Sequence, residues 1–65
     1  MSYKVSIHNK YPDGSKLSLT FDTNSGLLHE ASKDADVETI YERQRLGKDP
    51  FEKPVFSRRT FKPIG

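Results

Sequence analysis

The 65-residue chain contains no cysteine and no tryptophan, and it has a single methionine. Without cysteine, neither a disulfide nor a thiolate metal site can staple the fold. That composition suits a reducing compartment, and the expected location is the cytoplasm. No apolar run approaches the roughly 20 residues that a membrane helix needs. The opening stretch MSYKVSIHNK lacks the apolar core of a signal peptide. Core-forming residues are scarce as well: Leu, Ile, Val and Phe together number 15 of 65, just above the roughly 20% below which chains tend to remain disordered. In a domain this small, the gain from burial and the entropy of ordering nearly cancel. A bound partner therefore matters more to its stability than it would to a larger domain.

The familiar signatures of catalysis are missing too. There is no cysteine nucleophile, no G-x-S-x-G elbow and no glycine loop to cradle phosphates. His8 and Ser18 fall opposite each other on an open strand face, where nothing orients the ring or excludes water. His29 and Glu30 with Asp34 and Asp36 have no fixed ligand spacing and no calcium-loop glycine. The acids fit the N-terminal end of a helix better. The expectation is a protein that is not an enzyme, with no catalytic residues, no metal and no cofactor.

What the sequence does contain is polarised charge. Residues 1–20 carry three lysines and one aspartate, residues 21–42 six acids and one lysine, and residues 43–65 seven basic residues and two acids. The net charge of +2 conceals an acidic middle and a basic end. Either the two neutralise each other within the fold, or the basic end meets an anionic partner.

The clearest local pattern is YKVSIHNKYPDGSKLSLTFD. Two alternating runs flank Tyr11-Pro12-Asp13-Gly14, which has the chemistry of a type I turn closed by a glycine bulge. Pairing Tyr11 with Ser15 sets the register, so Ile7 faces Leu19 and Val5 faces Phe21. Tyr3, Val5, Ile7, Leu17, Leu19 and Phe21 then share one face. Lys4, Ser6, His8, Lys10, Lys16, Ser18, Thr20 and Asp22 share the other, and a one-residue slip would mix the sets.

Downstream, Asp22 to Gly26 reads as a turn, and Leu27 to Ala31 as a short third strand. Val37, Ile40, Tyr41 and Gln44 recur at helical spacing. They predict a helix over about residues 34–46, capped by Ser32, Asp34 or Asp36, stopped by Gly47, and burying that stripe. The order strand–strand–strand–helix, with the D-x-x-S-G turn from Asp22 to Gly26, resembles the sheet-based arm-binding domain of tyrosine integrases. The chain carries no motif specific to that family.

The last fifteen residues, FEKPVFSRRTFKPIG, place Phe51, Phe56 and Phe61 five apart. Val55 to Phe61 is long enough for one edge strand, with Val55, Ser57, Arg59 and Phe61 on one side and Phe56, Arg58 and Thr60 on the other. The expected fold is therefore α+β. An antiparallel hairpin or three-stranded meander packs on one helix (residues 1–50), followed by a basic, aromatic extended or edge-strand segment (residues 51–65). The expected function is a non-catalytic interaction module that docks on a larger protein. Phe56 and Phe61 would be anchors, and Lys53, Arg58, Arg59 and Lys62 would be charge partners. The alternative is a small nucleic-acid-binding protein that uses those cations and the sheet face of Lys4, His8, Lys10 and Lys16. A membrane partner is not expected, and the free sheet edge is compatible with a homodimer. Both functions require the tail guanidinium groups to be free of the chain's own carboxylates.

Overall fold

A computed structural model describes all 65 residues. Strands β1 (Ser2–Lys10) and β2 (Lys16–Thr23) form a hairpin, helix α1 (Leu28–Arg45) follows, and strand β3 (Phe56–Ile64) returns to the sheet. The sheet order is β2-β1-β3, and both pairings are antiparallel.

The hairpin follows the sequence pattern residue for residue. Ile7 lies opposite Leu19 and Val5 opposite Phe21. In the turn, the Gly14 N–H donates to the Tyr11 carbonyl (3.0 Å) and the Tyr11 N–H to the Ser15 carbonyl (2.9 Å). Gly14 has φ of 85°, a left-handed conformation that costs glycine nothing. Asp13 locks the turn by accepting from both the hydroxyl and the N–H of Ser15.

The third strand is not where the order of the sequence suggested. Residues 28–31 form the first turn of α1, and the strand that completes the sheet is β3. The element order is ββαβ, so the likeness to a strand–strand–strand–helix domain does not extend to the fold. β3 pairs with β1 along its whole length, from Ser2 opposite Ile64 to Lys10 opposite Phe56. The C-terminal segment is thus an edge strand of the sheet, and β1 becomes the central strand.

The helix also departs from expectation, at one end and in its orientation. It begins at Leu28, with Leu27 at the cap position and no side-chain cap. It ends as Gly47 foretells. The Gly47 N–H donates to the Gln44 carbonyl and the Lys48 N–H to the Arg43 carbonyl, with Gly47 at φ of 73°, the pairing of a Schellman motif. Of the stripe Val37, Ile40, Tyr41 and Gln44, only Ile40 is partly buried; Gln44 is exposed, and Val37 and Tyr41 are each 63% exposed. The residues that face the sheet are Ala31 and Ala35, both fully buried, and Arg43. The reason is steric. Tyr3, Val5, Ile7, Leu19, Phe21 and Phe61 already fill the layer between helix and sheet. Small side chains let the helix backbone lie close to them.

One contact pins the C-terminal half of α1 to the hairpin turn. Arg43, only 3% exposed, stacks on the Tyr11 ring with its guanidinium carbon 3.7 Å from the ring centroid. It donates to the Ser15 hydroxyl (3.0 Å) and to the Asp49 carbonyl (3.2 Å). No carboxylate neutralises it, so ring, hydroxyl and carbonyl together replace its water.

Candidate functional site

The helix covers one face of the sheet and leaves the other open. Because strand side chains alternate, and because both registers pair even-numbered residues with even-numbered ones, the open face is made of even-numbered residues from all three strands. β1 contributes Lys4, Ser6, His8 and Lys10, β2 contributes Lys16, Ser18, Thr20 and Asp22, and β3 contributes Phe56, Arg58, Thr60 and Lys62. Five cations share this face with a single acid, Asp22. The central strand meets cations on both sides, and its Lys4 also lies directly opposite the one acid of the face, Asp22. Lys10 lies directly opposite Lys16, Lys4 directly opposite Lys62, and His8 opposite Arg58.

Between β1 and β3 the face is hollowed into a trough of about 350 Å³ lined by Lys4, Ser6, His8, Arg58, Thr60 and Lys62, none of them apolar. Hydroxyls occupy the space between the charges. Ser6 and Thr20 approach to 3.4 Å, and the His8 Nδ1 lies 3.1 Å from the Ser18 hydroxyl. The three ion pairs of the molecule, Arg45–Glu42, Lys48–Asp13 and Arg59–Asp36, all lie elsewhere. No cation of the open face makes an ion pair with an internal carboxylate, although Lys4 has Asp22 opposite it.

This geometry divides the residues that the sequence grouped together. Arg58 and Lys62 stand on the open face beside Lys4, His8, Lys10 and Lys16, so two sets expected to be separate become one surface. Phe56 lies at its edge, half-exposed, with the Lys10 ammonium 5.8 Å from the ring centroid. Arg59 and Phe61 point the opposite way. Phe61 packs against the core of Val5, Ile7 and Ala35, and Arg59 donates to Asp36 at 2.6 Å. Lys53 lies in the connector between α1 and β3, on a cleft of about 340 Å³ that also touches Asn9, Tyr11, Ile40, Phe51 and Arg59. In that region Asn9 is buried. Its amide nitrogen donates to the Tyr11 hydroxyl (3.1 Å), and its Oδ1 has no partner.

The acids proposed from sequence as helix N-terminal residues have specific partners. The hydroxyls of Ser25 and then Thr23 donate to Asp34 and hold its carboxyl below the usual carboxylate range. Asp36 is taken by Arg59. His29 and Glu30 are exposed in the first turn of α1.

Thr60 and the lysine-against-lysine pairing of Lys4 with Lys62 were not foreseen. The alternation of the tail signalled the side on which Thr60 falls. The strand against which that side lies is set only by the pairing of β3 with β1. No helix is long and apolar enough to cross a membrane. No protein-family model, curated protein or solved structure matches the chain.

Proposed function

We propose that the protein is a non-catalytic binding module whose ligand is a nucleic acid held on the open face of the sheet. One observation carries this reading: five unpaired cations converge there from three strands, including two lysine pairs placed directly opposite each other. Like charges in directly opposed positions destabilise a sheet. Lysines also keep an exposed sheet soluble, but a row of phosphates would in addition relieve the opposed pairs and release counterions. If all five cations meet phosphates, the logarithm of affinity falls with the logarithm of salt at a slope of about −4.5. The loss between about 50 and 200 mM salt is then roughly 500-fold.

Arg58 and Arg59 test the reading as adjacent residues on opposite faces. Binding of a labelled oligonucleotide is measured by fluorescence anisotropy across a salt series. Arg58→Ala is expected to weaken binding and reduce the salt slope by about 0.9, whereas Arg59→Ala leaves the slope unchanged. Equal effects of the two substitutions, or no binding at low salt, would refute it.

A second reading, docking on a larger protein, is favoured by a different surface. Phe51 is 76% and Val55 70% exposed in the connector, and Val37 and Tyr41 stand out from α1. Exposed aromatic and aliphatic side chains of this kind serve as anchors in protein interfaces. Capture of a partner that survives nuclease treatment and is lost in Tyr41→Ala or Phe51→Ala would favour it.

A further inference from the structure

We infer that the free edge of β2 is a self-complementary surface whose partner is a second copy of this chain. The two β2 strands pair antiparallel about a two-fold axis at Leu19. This goes beyond the reading of the open face and does not depend on it.

The sheet has two edges, β2 and β3. Backbone alternation decides which groups each edge offers. The Tyr11 N–H donates to the Ser15 carbonyl, and the Val55 N–H to the Lys10 carbonyl. Odd-numbered residues of β1 therefore bond towards β2, and even-numbered ones towards β3. The β2 residues left with outward N–H and carbonyl groups are Lys16, Ser18, Thr20 and Asp22. Those of β3 are Ser57, Arg59, Phe61 and Pro63. Pro63 has no N–H to give, and β3 carries Arg58, Arg59 and Lys62 with no acid. Proline and unmatched charge are devices that keep a sheet edge from pairing with its own copy. β2 has no proline, and its lysine at one end is matched by an acid at the other.

The match is specific. Lys16-Leu17-Ser18-Leu19-Thr20-Phe21-Asp22 has the same chemistry read from either end, except that the terminal charges are opposite. Centred on Leu19, an antiparallel copy sets Lys16 against the partner's Asp22 and Ser18 against the partner's Thr20. Leu17 meets the partner's Phe21, and the two Leu19 side chains meet each other. The hydrogen-bonded pairs of this register join even-numbered residues, whose backbone groups face outward. A shift of two residues keeps that parity but separates Lys16 from the acid. A shift of one sets the apolar side against the polar side.

The side chains next to this edge fit the same partner. Leu19 and Phe21 are only partly buried. A hollow of about 230 Å³ is lined by Phe21, Asp22, Thr23, Asp34, Val37 and Glu38, so Val37 stands on the β2 side of α1. Tyr41, one turn further along, shares that side. Both are 63% exposed. Opposed residues in a sheet point the same way. The two helices therefore stand on one face of a continuous sheet, with Val37 and Tyr41 turned towards the partner. The two open faces join on the other side. Lys16 gains an acid there, and Lys4, Lys10, Arg58 and Lys62 keep the face cationic.

Sedimentation equilibrium of the full chain tests this pairing. At concentrations raised to about 0.5 mM, well above a micromolar dissociation constant, the mass should climb from 7.4 kDa towards twice that value. Lys16→Glu and Asp22→Lys each set like charges together at both ends of the interface. Each alone should weaken the dimer at least about tenfold. Mixed in equal amounts, the two variants should form a heterodimer, because each supplies the charge the other needs at both ends. Lys16 and Asp22 are exposed, and an unchanged circular dichroism spectrum checks that each variant folds. A monomer at every concentration, a dimer that neither substitution weakens, or a mixture that stays monomeric would overturn the inference.

Discussion

Lys4 and Lys62 lie directly opposite each other on adjacent strands of the open face. Directly opposed side chains have Cβ atoms about 5 Å apart, and two ammonium groups spread to about 6–8 Å repel by about 0.5–0.7 kcal/mol in water. Replacing Lys62 with threonine removes that repulsion and adds a residue that sheets favour, whereas Lys4 also faces Asp22. Lys62→Thr is therefore expected to stabilise the fold by about 0.2–1 kcal/mol. For a domain of this size, that raises the unfolding temperature by about 1–8 °C. If the proposed nucleic acid lies on this face, the same substitution removes one phosphate contact, and the salt slope of binding should fall by about 0.9. Stability and binding thus move in opposite directions. Thermal unfolding followed by far-ultraviolet circular dichroism measures the first, and anisotropy measures the second. The double variant Lys4→Thr/Lys62→Thr isolates the coupling, which should be repulsive and should shrink as salt screens it over a Debye length of about 10 Å at 0.1 M. If Lys62→Thr lowers the unfolding temperature, or the cycle shows attraction, the two lysines do not oppose each other on an uncovered face and the functional reading loses its support.

Two further predictions concern the scaffold beneath that face. Arg43→Ala removes the stack on Tyr11 and two hydrogen bonds from a charged donor, partly offset by release of a buried cation. It should destabilise by about 2–4 kcal/mol; a change below about 0.5 kcal/mol on urea unfolding would mean that this contact does not tie helix to turn. Asp13 is held down to about 2, first by the hydroxyl and then by the N–H of Ser15, with a smaller contribution from Lys48. Its folded value lies below its unfolded value near 4, so the stabilisation is present above pH about 4 and is lost as pH falls towards about 2. Asp13→Asn should flatten that part of a stability profile against pH, and an unchanged profile would show that the turn does not depend on the carboxylate.

The open face was legible in part. The alternation of the first twenty residues put Lys4, His8, Lys10 and Lys16 together, and the alternation of the tail separated Arg58 from Arg59. Joining the two sets required knowing that β3 pairs with β1 and not with β2 or a partner. That choice depends on a crossover through the helix, and no local pattern encodes it. The helix stripe misled for a related reason. Val37 and Tyr41 have the greater apolar surface, but the side of the helix turned to the sheet is that of Ala31 and Ala35, with Arg43 reaching the hairpin turn.

What the sequence by itself determined is local: the hairpin, its turn and register, the stop at Gly47 and the two sides of each strand. Turn geometry and a side-chain period of two leave those features no alternative. What the tertiary structure decided is which faces meet. It turned alanines inward and Val37 outward, spent Arg59 on Asp36, and set Lys62 against Lys4. Those outcomes depend on the volume available between layers and on contacts across more than twenty residues of chain.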